Sequence, residues 1–233
     1  MTIKPIKTDL FKEGENLADF IVEHIPTLKN GSALAVTSKI VALSEGRVVR
    51  PKDAKEKERI IRTESEWVLP TRHVFLAMKN GMLLANAGVD DSNADGKLVL
   101  LPKDSFKTAS ALRKKLQSHY KIKKLGIVIT DSRCLPLRAG VVGVALGYAG
   151  FKGVRDYRGK PDLFGRVMKI TQTDVADSLA TAAVLAMGEG RERQPLAVIE
   201  DAPVEFSERV NRKELRIDME DDIYRPLFSG KRL

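Results

Sequence analysis

LGIVIT, residues 125–130, followed by RAGVVGVALGYAGFKG, residues 138–153, decides how this chain must fold. A six-residue apolar run bounded by polar residues is the pattern of a strand buried on both faces. The second stretch sets glycines at 140, 143, 147, 150 and 153 among Val, Ala and Leu. Glycine at that density in a strand-like run implies that another backbone, or a ligand, comes close. Working toward the amino terminus, Phe106, Ala109, Leu112, Leu116 and Tyr120 recur at helical spacing and predict a helix over 104–121. Residues 73–79 and 81–87 predict two strands joined at Asn80-Gly81, a tight-hairpin pair. Asp53 can cap a helix reaching about Val68, with Ile60, Ile61 and Val68 as its apolar stripe. SALAVTSKIVAL (32–43) predicts a strand closed by the polar turn SEGR, and Leu17, Phe20, Ile21 and Ile25 a helix that Pro26 ends. Toward the carboxyl terminus, Asp174 to Met187 predicts a helix stopping at Gly188, and PLAVIE (195–200) a last buried strand. Strands and helices mix without strict alternation, so the expected class is α+β, mixed sheets with packed helices. The expected organisation is one domain over 1–233, in which 203–233 is a charged tail lying on the surface or against a second subunit.

Composition narrows the chemistry. A chain of 233 residues, 43% hydrophobic and 30% charged, buries a sizeable core without disulfides. No run approaches the ~20 apolar residues of a membrane span. The opening MTIKPIKTDLFKEGE lacks an apolar signal-peptide core, so the expectation is a cytoplasmic protein with no membrane partner. Cys134 stands alone and His24, His73 and His119 are far apart, which argues against a thiolate or histidine metal site. Any metal should therefore be a hard cation on oxygen ligands. A net charge of +9 favours an anionic partner, either nucleic acid or a phosphate-bearing small molecule. Only 6% of residues are aromatic, which leaves few stacking platforms and disfavours nucleic acid.

Four segments could carry chemistry. NAGVDDSN (86–93) gathers Asp90, Asp91 and Asn93 in one turn, although an Asx-turn serving its own backbone needs the same residues. TDSRC (130–134) follows the buried strand as a loop, offering Asp131 and the Ser132 hydroxyl to Mg²⁺ or Mn²⁺, or else capping a turn. MGEGRERQP (187–195) sets Glu189 between two glycines past a helix, a loop that can wrap phosphate with backbone N–H groups. Gly188 alone would also serve as a plain helix cap. GFKGVRDYRGKPDLFGR (150–166) interleaves Lys152, Arg155, Arg158, Lys160 and Arg166 with glycine and aromatics, an anion-binding surface or a subunit contact. No GxxxxGK[ST], HExxH or GxSxG is present, which removes the commonest P-loop enzymes and hydrolases.

Taken in order, TSKIVALSEGR (37–47), NAGVDDSN (86–93), LLPKD (100–104), GIVITDS (126–132), the run 138–166, VADSLATAAVLAMGEG (175–190) and PLAVIED (195–201) resemble the coenzyme F₄₂₀-0:L-glutamate ligase family. The resemblance implies that family's fold and a homodimer. It implies a carbon–nitrogen ligase that joins L-glutamate to a carboxylate through a γ-linked amide, using GTP as co-substrate and two divalent cations. By the resemblance, Asp90, Asp131, Ser132 and Glu189 bind metal; Asp131 is expected to serve catalysis, and so is Arg155, which the basic run 150–166 offers for holding the anionic acceptor. Ser38, Lys39, Asn93, Met187, Gly188, Gly190 and Gln194 fall on the nucleotide contacts. The sequence departs from the family at TDLF (8–11), where relatives carry a Leu-Pro-rich nucleotide loop, and at Leu43, where they carry lysine. A folate or other pterin acceptor is thus a second expectation. A basic nucleic-acid-binding module and an inactive cofactor-binding relative are the competing classes.

Overall fold

The computed structural model of the chain describes residues 1–226. In chain order its elements are β1 (Thr2–Ile6), α1 (Leu17–His24), β2 (Ser32–Thr37), α2 (Ser38–Ser44), β3 (Val48–Val49) and α3 (Ala54–Thr63). They continue with β4 (Trp67–Pro70), β5 (Phe75–Lys79), β6 (Met82–Ala85), a 3₁₀ turn (Asn86–Gly88), β7 (Leu98–Val99) and α4 (Ser105–Tyr120). The last are β8 (Leu125–Cys134), β9 (Val141–Ala149), β10 (Val154–Asp156), β11 (Gln172–Asp174), α5 (Val175–Met187) and β12 (Leu196–Glu200). This is the expected α+β class.

A five-stranded sheet forms the centre in the order β1-β12-β2-β8-β9. β2 and β8 run parallel and every other neighbouring pair is antiparallel. The alternation in SALAVT shows how the sheet sorts its faces, because successive strand side chains point to opposite sides. Leu34 and Val36 join Ile127, Ile129, Leu196 and Val198 in a core shared with α1 and α4. Ala33 and Ala35 join Val128, Ala145 and Ala197 on the other face, beneath α5. That second face is built small so the helix can approach. A Cβ on Gly143 would sit 2.3 Å from the Ala180 carbonyl oxygen of α5, and one on Gly147 2.5 Å from the Phe106 nitrogen of α4. The glycine density of β9 thus answers to neighbouring backbone.

The helix caps follow the sequence. Asp53, Asp104 and Asp174 accept from the backbone N–H of Glu56, Lys107 and Asp177 at 2.8–2.9 Å. Asn80 and Gly81 both adopt positive φ, 53° and 73°, in the two-residue turn between β5 and β6.

Three expectations are corrected. The strand expected over 32–43 ends at Thr37, and Ser38–Ser44 forms α2, because Ile40 and Val41 are buried by a helical turn rather than by an extended one. The helix from Asp53 stops at Thr63, and Val68 lies in β4, paired with Ala77. TDSRC is not a loop: β8 runs on to Cys134, with Asp131 opposite Val144 and Ser132 opposite Gly143. A register shift between Ile129 and Thr130 marks a bulge where the buried strand turns polar. The tail, as far as described, is strapped to its own chain. Ser207 N–H donates to Gly150 O, the Arg113 guanidinium forks onto Glu208 at 2.6 and 2.7 Å, and the Tyr148 hydroxyl and Gly153 N–H donate to Glu214. The rest of the expected tail, 227–233, lies outside the described residues. No helix among the described residues is long and apolar enough to cross a membrane.

Candidate functional site

β2 and β8 are parallel, so their carboxyl ends finish at the same edge. Thr37 pairs with Thr130, which brings Ser38 beside Asp131. Here a cavity of about 440 Å³ opens, lined from Thr8–Phe11, the start of α2, the Gly88–Asn93 turn, Val99–Leu101, Thr130–Ser132 and the segment from Met187 to Pro195.

Asp131 accepts from the Ser38 hydroxyl at 3.2 Å. Burial pushes its carboxyl up to about 7, and the negative charges of Asp90 and Glu189 push the same way against hydrogen bonds from Ser132 and Ser38. Glu189 is also raised, first by burial and further by Asp90, while the Ser132 hydroxyl donates to it at 3.4 Å. Burial alone would raise Asp90 too. The ammonium of Lys39 at 2.8 Å, with the Ser92 N–H at 2.7 Å and the Ser92 hydroxyl at 2.9 Å, outweighs that and holds it below the usual carboxylate range. The three carboxylates therefore feel one another although 41 and 58 residues separate them along the chain.

Asn93 reaches across the cavity, its side-chain amide donating to the Gly190 carbonyl at 3.2 Å. Arg193 pins the opposite wall: its guanidinium donates to Thr8 O at 2.9 Å and to Asp9 at 3.1 Å, and Thr8 N–H donates to Arg193 O. Thr130 is 1% exposed and belongs to the cavity's lining, and its hydroxyl has no hydrogen-bond partner. A buried orphan hydroxyl at a polar cavity wall suits an incoming ligand. The carboxylates and hydroxyls at this end supply oxygen donors alone, which suit a hard cation. Among the described residues no three His, Cys, Asp or Glu side chains form a ready-made ligand set, and Asp90 is paired with Lys39 instead.

The fold thus brings Ser38, Lys39, Asp90, Asn93, Asp131, Ser132, Met187, Gly188, Glu189, Gly190 and Gln194 to one cavity. TDLF and Leu43 line it as well. Arg155 stands apart: it lies on β10, donates to the Pro203 carbonyl, and nothing in 150–166 lines this cavity. Lys152 pairs with Glu205 and Arg158 with Asp156. Sequence reasoning enclosed Thr130, Glu192 and Arg193 in its candidate segments without singling them out. Thr130 was hidden at the end of an apolar run, and the last two in a loop whose Gly-Glu-Gly-Arg-Glu-Arg alternation was the available signal.

Residues 5–201 match the F₄₂₀-0:gamma-glutamyl ligase family. A coenzyme F₄₂₀:L-glutamate ligase of Methanococcus maripaludis strain C7 is 34% identical, covering 91% of this chain and 92% of the relative. One from Methanocaldococcus jannaschii is 31% identical over 94% and 95%. Another, from Methanococcus maripaludis strain C6, is 42% identical over 63% of this chain and 58% of its own length. With the family's model matched over residues 5–201 and the acidic and glycine-turn motifs gathered in one cavity, the protein belongs to the F₄₂₀-0:gamma-glutamyl ligase family and is a ligase forming carbon–nitrogen bonds.

Proposed function

We propose that this chain uses GTP to join L-glutamate to the carboxylate of an F₄₂₀-0-type acceptor. One observation carries the reading: Asp90, Asp131, Ser132 and Glu189, drawn from three distant stretches, share a cavity with Lys39 and the Gly188–Gly190 turn. The family's description supplies the acceptor and the relatives' names the amino acid.

A carboxylate does not acylate an amine in water, because its oxygen is a poor leaving group. In the proposed route the acceptor's carboxylate oxygen attacks the γ-phosphorus, and the nucleoside diphosphate departs, leaving an acyl phosphate. The glutamate amine then attacks the acyl carbon, inorganic phosphate leaves, and the amine gives up its proton to solvent. The chain's part is alignment and charge compensation. Asp90, Asp131, Ser132 and Glu189 would hold two Mg²⁺ or Mn²⁺ ions, which when bound neutralise phosphate charge. Ser38, Lys39, Asn93, Gln194 and the backbone of Met187–Gly190 would hold the nucleotide.

A homodimer belongs to the same reading. The hairpin between β10 and β11 exposes Leu163 by 98% and Phe164 by 93%, beside Arg158, Lys160 and Arg166. Apolar side chains this bare on a projecting segment suit an interaction surface. Arg155, proposed to hold the anionic acceptor, does not line its own chain's cavity, and a homodimer would let a second copy bring it there.

The test is to incubate the pure protein with Mn²⁺, GTP or ATP, labelled glutamate, and F₄₂₀-0 or folate acceptors. GTP-dependent glutamylation of F₄₂₀-0, lost in Asp131→Asn, supports the reading. Glutamylation of folate alone transfers it to a pterin acceptor, and no nucleotide-dependent product overturns it.

A further inference from the structure

The Gly188–Gly190 turn already holds an anion. The Gly190 N–H donates to Glu192 Oε2 at 2.8 Å, so the side chain curls back two residues to lie over its own loop. A Cβ on Gly188 would meet Glu192 Cδ at 2.6 Å, and one on Gly190 would lie 3.2 Å from the same carboxylate. The two glycines are what let a three-atom anionic group press onto the turn. Gly188 also has φ +80°, a backbone that L side chains rarely adopt. A carboxylate and a phosphate face share planar or trigonal sets of acceptor oxygens, and backbone N–H groups in such turns serve both. The opposite wall repeats the arrangement with the sign reversed. There the Lys39 ammonium sits on Asp90 at 2.8 Å and donates to Ser92 O at 2.6 Å, where an acid would otherwise offer its oxygens to a cation.

We propose that Glu192 is a built-in phosphate surrogate: its carboxylate takes the Gly190 N–H that a nucleotide phosphate oxygen needs, and the nucleotide binds by displacing it. The inference rests on the nucleotide reading above and adds a residue that works against binding. Each arriving phosphate must break the Glu192–Gly190 hydrogen bond and send a negative charge back to solvent. Glu192 is exposed, so it has room to swing out without disturbing the core. The device keeps the turn's donor satisfied and rejects weaker anions that cannot compete with a tethered carboxylate. Its effect on affinity is opposite to that of Glu189, which lies three residues away in the same cavity and is read as a cation ligand.

Opposite signs make the test. GDP binding is measured by calorimetry in the presence of Mn²⁺ for wild type, Glu192→Gln and Glu189→Gln, with amide ¹H–¹⁵N spectra of each. Glu192→Gln is expected to bind GDP at least fivefold tighter, and Glu189→Gln more weakly. The Gly190 amide resonance of the wild type is expected to move when GDP is added, and to start displaced in Glu192→Gln. Unchanged or weaker GDP affinity in Glu192→Gln, beside a wild type that binds, overturns this inference and leaves the nucleotide reading standing. A wild type that binds no GDP overturns both.

Discussion

Ser38 and Asp131, 93 residues apart, are joined by a 3.2 Å hydrogen bond at the shared edge of the parallel strands β2 and β8. The bond ties the first turn of α2 to a strand that stays paired beyond its apolar core. It holds Asp131 where burial and two neighbouring carboxylates favour its protonated form, with a pKa near 7.

That shift has a signed consequence for stability. A free aspartate titrates near 3.9, so between roughly pH 4 and 7 the folded chain binds more protons at this site than the unfolded one. The contribution is fully present below pH 4 and is lost as pH rises through 7. Asp131→Asn, which cannot ionise, escapes the loss. In metal-free buffer its melting temperature relative to wild type should rise by roughly 3–6 °C between pH 5 and pH 8, the scale of a 1–2 kcal/mol effect in a chain of this size. Calorimetric scans across that range check it, and a pH-independent difference would refute the assignment.

Arg113 is 6% exposed, and it donates to the Leu125 carbonyl at 2.7 Å as well as to Glu208. Removing it by Arg113→Ala leaves that carbonyl buried and unpaired. Urea unfolding should show a loss of about 2–3 kcal/mol. Glu208 is far more exposed, so Glu208→Gln should cost less than about 1 kcal/mol.

The contact of β9 with α5 admits no methyl group. Gly143→Ala drives a Cβ against the Ala180 carbonyl oxygen, backbone on both sides, and neither rotamer nor loop can relieve it. The expected destabilisation is about 3 kcal/mol by urea unfolding. Gly159→Ala, where nothing lies within 4 Å, tests positive φ without crowding and should cost only about 1 kcal/mol.

The hairpin tip separates two roles. If the proposed homodimer forms through this tip, Phe164→Asp should sediment as a monomer where the wild type sediments as a dimer. Arg155→Ala should leave the dimer intact and raise KM for the acceptor several-fold at unchanged kcat. An Arg155→Ala variant that becomes monomeric with normal KM would reassign Arg155 to the subunit contact.

How much of this was legible follows from the range of the forces involved. The helix over 104–121 and the Asn80-Gly81 hairpin rest on local periodicity and on backbone conformations that particular residues favour, and both stand in the structure. α2 was hidden because Ile40 and Val41 favour strands in isolation, and only packing against the sheet decides for the helix. β8 was cut short for the opposite reason: Asp131, Ser132 and Arg133 read as loop residues until β9 supplies them with partners. Within the site, the acids were legible as turn-forming clusters in a familiar order, and they do converge. The basic run at 150–166 drew attention by composition, yet sequence carries no record of which way a hairpin points. Glu192 acts through a side chain folding back on its own loop, which no spacing rule encodes.

The strand order β1-β12-β2-β8-β9 also governs when this protein can become itself. β2 is made early, but its two neighbours arrive only with residues 125–134 and 196–200, and β1 must wait for β12 as well. During synthesis this buried strand therefore emerges with both hydrogen-bonding edges bare, and it keeps one bare until Glu200 has cleared the ribosome. Folding that closes so late through distant partners is slow and exposes a sticky edge meanwhile. The chain's greatest hazard thus falls in the nascent stage, where shielding by a chaperone would matter most.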